Sequence, residues 1–217
     1  MNQIGLPFDW SGQGGDGIFI VSAANHLAAS HIESWQDWPT PVSILSGPRR
    51  SGRSSLARQF ERLSGGVVLD DVEAMSDEAI FHAWNEARDS ARPLLLVSQA
   101  PPALWDIKLP DLRSRIASAP HVRIEEPDDA LVRALLEAGF HRAGSAFAAD
   151  VIDWLARRME RSYAAVDTVL GLLNQASLSS GRKISVPFAK EALQRAGFLP
   201  IVGLDGTQDD ANGGECG

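Results

Sequence analysis

The chain has 217 residues with a formal net charge of −8, 44% hydrophobic residues and one cysteine, Cys216. An excess of acid argues against a dedicated DNA-binding protein, whose affinity comes largely from basic side chains on phosphates. One cysteine excludes an intrachain disulfide and a cysteine-rich metal site, and no apolar run approaches the length of a membrane span. The start lacks the basic segment and apolar core of a signal peptide, so a cytoplasmic location is expected.

In chain order, residues 1–16 read as an extended arm whose Ser11–Gly17 stretch is glycine-rich enough to act as a flexible tether. An α/β domain is expected over 17–126, with parallel strands near 42–46, 67–70, 93–98 and 121–124. Its most informative segment is Ser43–Leu56, SILSGPRRSGRSSL. A short apolar strand ends at Gly47, and Gly52, Arg53, Ser54 and Ser55 follow at the spacing G-x-x-x-x-G-K-[ST] of a phosphate-binding loop, with Arg53 in the lysine position. In such a loop the backbone amides of residues such as Arg50, Ser51, Gly52 and Ser55 wrap the phosphates, and the helix that follows points its unpaired N–H groups at the anion. Arginine brings the same charge in a wider, planar head, so nucleotide binding is expected more firmly than catalytic placement of a γ-phosphate. That helix should bury Leu56, Phe60 and Leu63 on one face.

Val67–Leu69 ends in Asp70 and Asp71, a hydrophobic run plus acid of the kind that holds metal in phosphate-loop enzymes. Asp70 with Ser54 would hold Mg²⁺, and Asp71 takes the place of the carboxylate that orients water. Only Ser64, Gly65 and Gly66 separate the loop helix from this strand, which is enough for a direct crossover. Pro127 breaks the pattern, and Asp128 and Asp129 can cap a new helix. Apolar residues at helical spacing then continue through Leu131, Leu135, Leu136, Val151, Trp154, Leu155, Val166, Val169, Leu170 and Leu173, which predicts a helical unit over 127–199. The segment 200–217 is rich in Gly and Asp and reads as a disordered tail. Five dispersed histidines give no ligand spacing, so zinc is not expected, and Trp35, Trp38, Trp84, Trp105 and Trp154 read as packing residues.

Several segments together carry a resemblance: Gln3-Ile4-Gly5-Leu6-Pro7-Phe8, Phe19-Ile20-Val21 with Asn25, the loop Gly47–Ser55, Leu69-Asp70-Asp71-Val72-Glu73, Ser98-Gln99-Ala100-Pro101-Pro102, Leu109-Pro110-Asp111-Leu112-Arg113-Ser114-Arg115 and Arg161-Ser162-Tyr163-Ala164-Ala165. Through them the chain resembles the Hda family, short AAA+ relatives of the bacterial replication initiator DnaA, in particular its alphaproteobacterial members. The resemblance implies an α/β AAA+ P-loop domain with a shortened parallel sheet flanked by helices, followed by a small all-helical lid. It implies that Gln3, Ile4, Leu6, Pro7 and Phe8 dock into the DNA polymerase sliding clamp (β subunit), Leu6 and Phe8 filling an apolar pocket while Pro7 limits the entropy lost. Phe19 and Ile20 would clip adenine of ADP or ATP.

It further implies that Arg115 is an arginine finger, stabilising in trans the ATP held by DnaA; Arg113, two residues earlier, is the weaker candidate. On the lid, Arg161 is the nearest candidate for touching nucleotide, although alignment through Gln175-Ala176-Ser177-Leu178 puts the family's sensing position nearer Ala164. The expected function is regulatory inactivation of DnaA, as an activator of its ATPase with weak or no turnover of its own. A P-loop ATPase with its own substrate and a non-hydrolysing adaptor for replication proteins are the competing readings. Contacts would run through the clamp and DnaA, without sequence-specific DNA or membrane binding, and a homodimer burying the arms is compatible with this.

Overall fold

A computed structural model describes residues 19–198. The docking arm with Gln3, Ile4, Leu6, Pro7 and Phe8, the tail and Cys216 lie outside the described residues.

Four strands, β1 (Val42–Ser46), β2 (Val67–Leu69), β3 (Leu94–Ser98) and β4 (His121–Arg123), form one parallel sheet in the order β2-β3-β1-β4. Val42 pairs with Leu94 and Ser46 with Ser98 across β1 and β3, while β2 and β4 pair along the outer sides of that central couple. β1 and β3 are buried at every residue, because helices cover both faces of the sheet. Helices α1 (His26–Glu33) and α2 (Arg53–Ser64) pack on one face, where Ile32, Leu56 and Phe60 meet Leu45, Leu95 and Val97. Helices α3 (Asp77–Ser90) and α4 (Pro110–Ser118) cover the other, where Ile80, Trp84, Leu112 and Ile116 meet Val42, Ile44, Leu94 and Leu96.

The shortened sheet is present. Helix α2 stops at Gly65, whose φ of +63° suits the left-handed cap, and its N–H bonds the Glu61 carbonyl at 2.9 Å. At Gly66 a Cβ would meet the Pro93 carbonyl oxygen at 2.5 Å and the Phe60 ring at 2.7 Å, so the chain turns from helix to strand where no side chain fits. One expectation fails here: Leu63 is 45% exposed, since it sits in the last turn before the cap, beyond the layer that Leu56 and Phe60 bury.

The helical unit consists of α5 (Asp129–Arg142), α6 (Ala149–Ala156), α7 (Tyr163–Ser180) and α8 (Val186–Arg195). Asp128 caps α5 by accepting from the Leu131 N–H at 2.7 Å, and Ser162 caps α7 by accepting from the Ala165 N–H. These helices enclose a core of their own around Leu136, Phe140, Val151, Leu155, Val169, Leu173 and Phe188. Leu135 packs against both this core and that of the α1–α2 face.

Under α1, the His31 ring stacks on Trp38, and Trp38 on Phe60, at centroid separations of 4.9 and 5.2 Å. His31 Nε2 lies 2.7 Å from Ser43 Oγ, which is also 3.1 Å from the Pro120 carbonyl oxygen. Burial lowers the His31 pKa; His121, bonded to Ser46 Oγ, is lowered by burial and then by Arg123. Folding therefore favours the neutral rings, and the unfolded chain binds more protons once pH falls through the ordinary histidine value of 6.5. Stability should be level with pH above that value and decline below it. Urea midpoints measured across this window check the sign, and His31→Leu should flatten part of the acid slope.

Candidate functional site

The loop between β1 and α2 is built around two glycines. A Cβ at Gly47 would meet Ile124 Cβ at 2.9 Å and Ser51 Oγ at 3.1 Å. Gly52 has φ +93°, and a Cβ there would strike the Phe19 ring at 2.7 Å. Arg50 also adopts the left-handed conformation, with φ +63°. As N-cap of α2, Gly52 brings no side chain to the helix's first amides. Ser51 Oγ and one terminal guanidinium nitrogen of Arg53 (Nη1) are buried without a hydrogen-bond partner. Leaving such groups unpaired costs about 1–3 kcal/mol each, more for a charge, and an anion seated against Ser51, which lines a cleft beside the loop, would relieve that hydroxyl. The residues present thus fit a phosphate group.

Beside this loop opens a cleft of about 200 Å³ between the sheet domain and the helical unit. Arg50, Ser51, Gly52 and Ser55 line its loop side, Phe19 and Ile20 a second side, and α5 and α7 the third, through Leu131, Leu135, Tyr163, Val166 and Leu170. Gly139 lets α5 and α7 approach closely, since a Cβ there would meet Leu170 Cδ1 at 2.4 Å. Buried Asn25 holds the Phe19–Ser22 segment in place: its Nδ2 donates to the Ile20 carbonyl and its Oδ1 accepts from the Ser22 N–H, both at 2.8 Å. The walls are apolar where a base would lie and polar where phosphates would lie.

Two bonds tie the helical unit across the cleft. Arg50 pairs with Asp167 at 2.9 Å, and the Tyr163 hydroxyl donates to the Glu125 carbonyl at 3.1 Å. Burial, reinforced by Glu126, Asp128 and Glu125, raises the Tyr163 pKa well above its usual value, so this group stays a neutral donor.

Of the residues expected at the nucleotide, Phe19, Ile20, Arg50, Ser51, Gly52 and Ser55 line the cleft. Gly47, Arg53 and Ser54 belong to the same loop and helix start without lining it. Arg161 lies apart, paired with Asp129 at 2.7 Å. Asp70 and Asp71 are exposed at the carboxyl end of β2, the edge of the sheet to which the loop also belongs, with the end of β3 between them. Asp70 accepts from the Asp71 N–H, and Glu73 accepts from the Gln99 N–H at 2.7 Å, joining the two strand ends. Among the described residues no group of three or more His, Cys, Asp or Glu is placed to hold a metal ion. Arg142, Tyr163 and Asp167, which also line the cleft, were not expected there; the chain's single tyrosine beside Arg161-Ser162 was the one available signal.

Arg115 lies on α4, on the sheet face opposite α2, and is not among the residues lining the cleft. Arg113, two residues earlier, donates to the Ile107 carbonyl through Nε at 3.2 Å and Nη2 at 2.6 Å, fastening the segment that leads into the helix.

Comparison with known proteins agrees with this architecture. Residues 128–193 match the family model for the Hda lid domain. An uncharacterized protein of Haemophilus influenzae is 31% identical over 133 residues, 58% of this chain and 58% of its own length, so the match spans less than two thirds of that relative. Domain III of the replication initiation protein DnaA from Thermotoga maritima superposes with a TM-score of 0.70 at 14% identity, covering 82% of this chain and 94% of that domain. AMPPCP-bound DnaA from Aquifex aeolicus gives 0.63 at 17% identity, covering 83% and 67%. RuvB from Thermotoga maritima gives 0.64 at 12%, covering 82% and 70%. At these identities the structural likeness speaks for the fold.

Proposed function

We propose that the chain, whose residues 128–193 match the Hda lid model and whose fold is that of DnaA domain III, is an Hda-like, DnaA-related AAA+ protein that regulates replication initiation by promoting hydrolysis of ATP bound to DnaA while anchored to the sliding clamp. The observation that carries this reading is the separation of two sites. The cleft beside the phosphate loop has apolar walls and one buried unpaired hydroxyl, Ser51 Oγ, suited to a nucleotide, whereas Arg115 stands on the other face of the sheet and does not line the cleft. In the proposed reading Arg115 serves a phosphate held by another molecule.

Ser51, Gly52, Arg53 and Ser55 would hold the phosphates of ADP or ATP, with Phe19 and Ile20 beside the base and Ser54 with Asp70 taking Mg²⁺. Intrinsic turnover is expected to be weak, because arginine replaces the loop lysine and Arg161 is engaged by Asp129 instead of facing the cleft.

The test is the rate at which DnaA-bound ATP is hydrolysed with this protein and DNA-loaded clamp. Stimulation should require the clamp, and replacing Gln3, Leu6 and Phe8 together by alanine should return the rate to its clamp-free value. Equal stimulation by that variant would refute the docking assignment. Absence of stimulation by the unaltered protein would favour an adaptor.

A further inference from the structure

We propose that Phe81 and Asn85 of α3, with Asp111 of α4, form a clasp that positions the Arg115 guanidinium for a phosphate of the partner AAA+ protein; this rests on the trans reading above. The four residues make two pairs at i,i+4 spacing, each on one helical face, and the faces meet. Arg115 Nη2 is 2.7 Å from Asp111 Oδ2, and its Nη1 donates to Asn85 Oδ1 at 2.8 Å. Its guanidinium carbon stands 4.6 Å from the centroid of the Phe81 ring, at the separation of a cation–π contact.

This arrangement fixes a plane. A guanidinium carries five N–H donors, and Asn85 and Asp111 take one from each terminal nitrogen. Phe81 covers one of its faces. Three donors remain, one on each guanidinium nitrogen, on a side chain that still keeps 23% of its surface exposed. A free arginine on a helix surface would sample many rotamers and lose that freedom on meeting a phosphate. A held one has lost it already, which is where oriented groups gain rate.

Asn85 does not touch the reacting atoms in this scheme, so it and Phe81 are positioning residues. A purely structural role, stapling α3 to α4, would show in melting temperature and leave turnover alone. The experiment compares unaltered protein, Asn85→Leu, Asn85→Asp, Phe81→Leu and Arg115→Ala in clamp-dependent hydrolysis of DnaA-bound ATP, with thermal melting of each. Asn85→Leu and Phe81→Leu are expected to lower maximal turnover about tenfold at an unchanged half-saturating concentration, while Asn85→Asp, which keeps the acceptor, retains most of it. Full or raised turnover in both leucine variants, with Arg115→Ala inactive, would overturn the clasp and leave the finger standing. An Arg115→Ala protein as active as the unaltered one would instead remove the trans reading itself, and the clasp with it.

Discussion

Arg115→Ala should abolish the stimulation of DnaA-bound ATP hydrolysis while leaving the protein folded and bound to the clamp. The side chain is partly exposed, and its partners are Asp111, itself exposed, Asn85 and the Phe81 ring. Losing such contacts costs about 1 kcal/mol of stability, since an ion pair open to water contributes little. The effect on rate is of another order. A guanidinium brought to a transferring phosphoryl group stabilises charge that develops only in the transition state, and fingers of this kind are worth about 10³–10⁵ in rate. The loss should fall on maximal turnover and leave half-saturating concentration nearly unchanged, which single-turnover measurements on preloaded DnaA would separate. Arg113→Ala should do the reverse, lowering melting temperature through the lost Ile107 contact with the stimulated rate largely kept. If the two variants exchanged behaviours, Arg113 would be the finger.

A second large effect is expected from Gly52→Val. Two separate penalties meet at this position. At φ +93° a β-branched residue is strained, at a cost of about 1–2 kcal/mol for left-handed backbone. Its Cβ would also sit 2.7–2.8 Å from the buried Phe19 ring, which must move and take a wall of the cleft with it. Nucleotide affinity should fall at least tenfold, about 1.4 kcal/mol, and melting temperature should fall as well. Gly144→Val provides the control: φ there is +66°, but a Cβ meets nothing within 4 Å. It should show the backbone cost alone and leave binding of a fluorescent ADP or ATP analogue intact. Equal loss of binding in both variants would remove the nucleotide from this loop.

The parts of the fold that were legible in the sequence are those written in short-range chemistry. β1 and β3 are short, largely apolar runs closed by Gly47 and Ser98-Gln99, so their span could be read within a residue of the observed Val42–Ser46 and Leu94–Ser98. Pro127 followed by Asp128 marked the start of the helical unit, because proline ends a strand region and aspartate caps a helix. The loop glycines likewise announce themselves by spacing. What could not be read is whatever joins distant segments. The pairing of Arg50 with Asp167 spans more than a hundred positions, and nothing local marks an aspartate in mid-helix as facing a phosphate loop. Arg161 was expected near nucleotide from its neighbours in sequence, whereas Asp129 at the start of α5 takes it in the fold. Asn85 and Phe81 belong to an ordinary amphipathic helix until α4 is laid against it.

The two hydrophobic cores that meet at Leu135 give the molecule a divided thermodynamic personality. Leu131 and Tyr163 of the helical unit are buried in the sheet-side core as well, so the seam between the two cores runs along α5 and α7. A ligand lodged in the cleft touches surfaces belonging to both, so it acts as a rivet: at 100 times its dissociation constant it adds about 2.7 kcal/mol to the joined state and nothing to the separated one. Cellular nucleotide would then tune how firmly the lid is fused to the sheet domain, and with it whether the chain unfolds as one unit or as two.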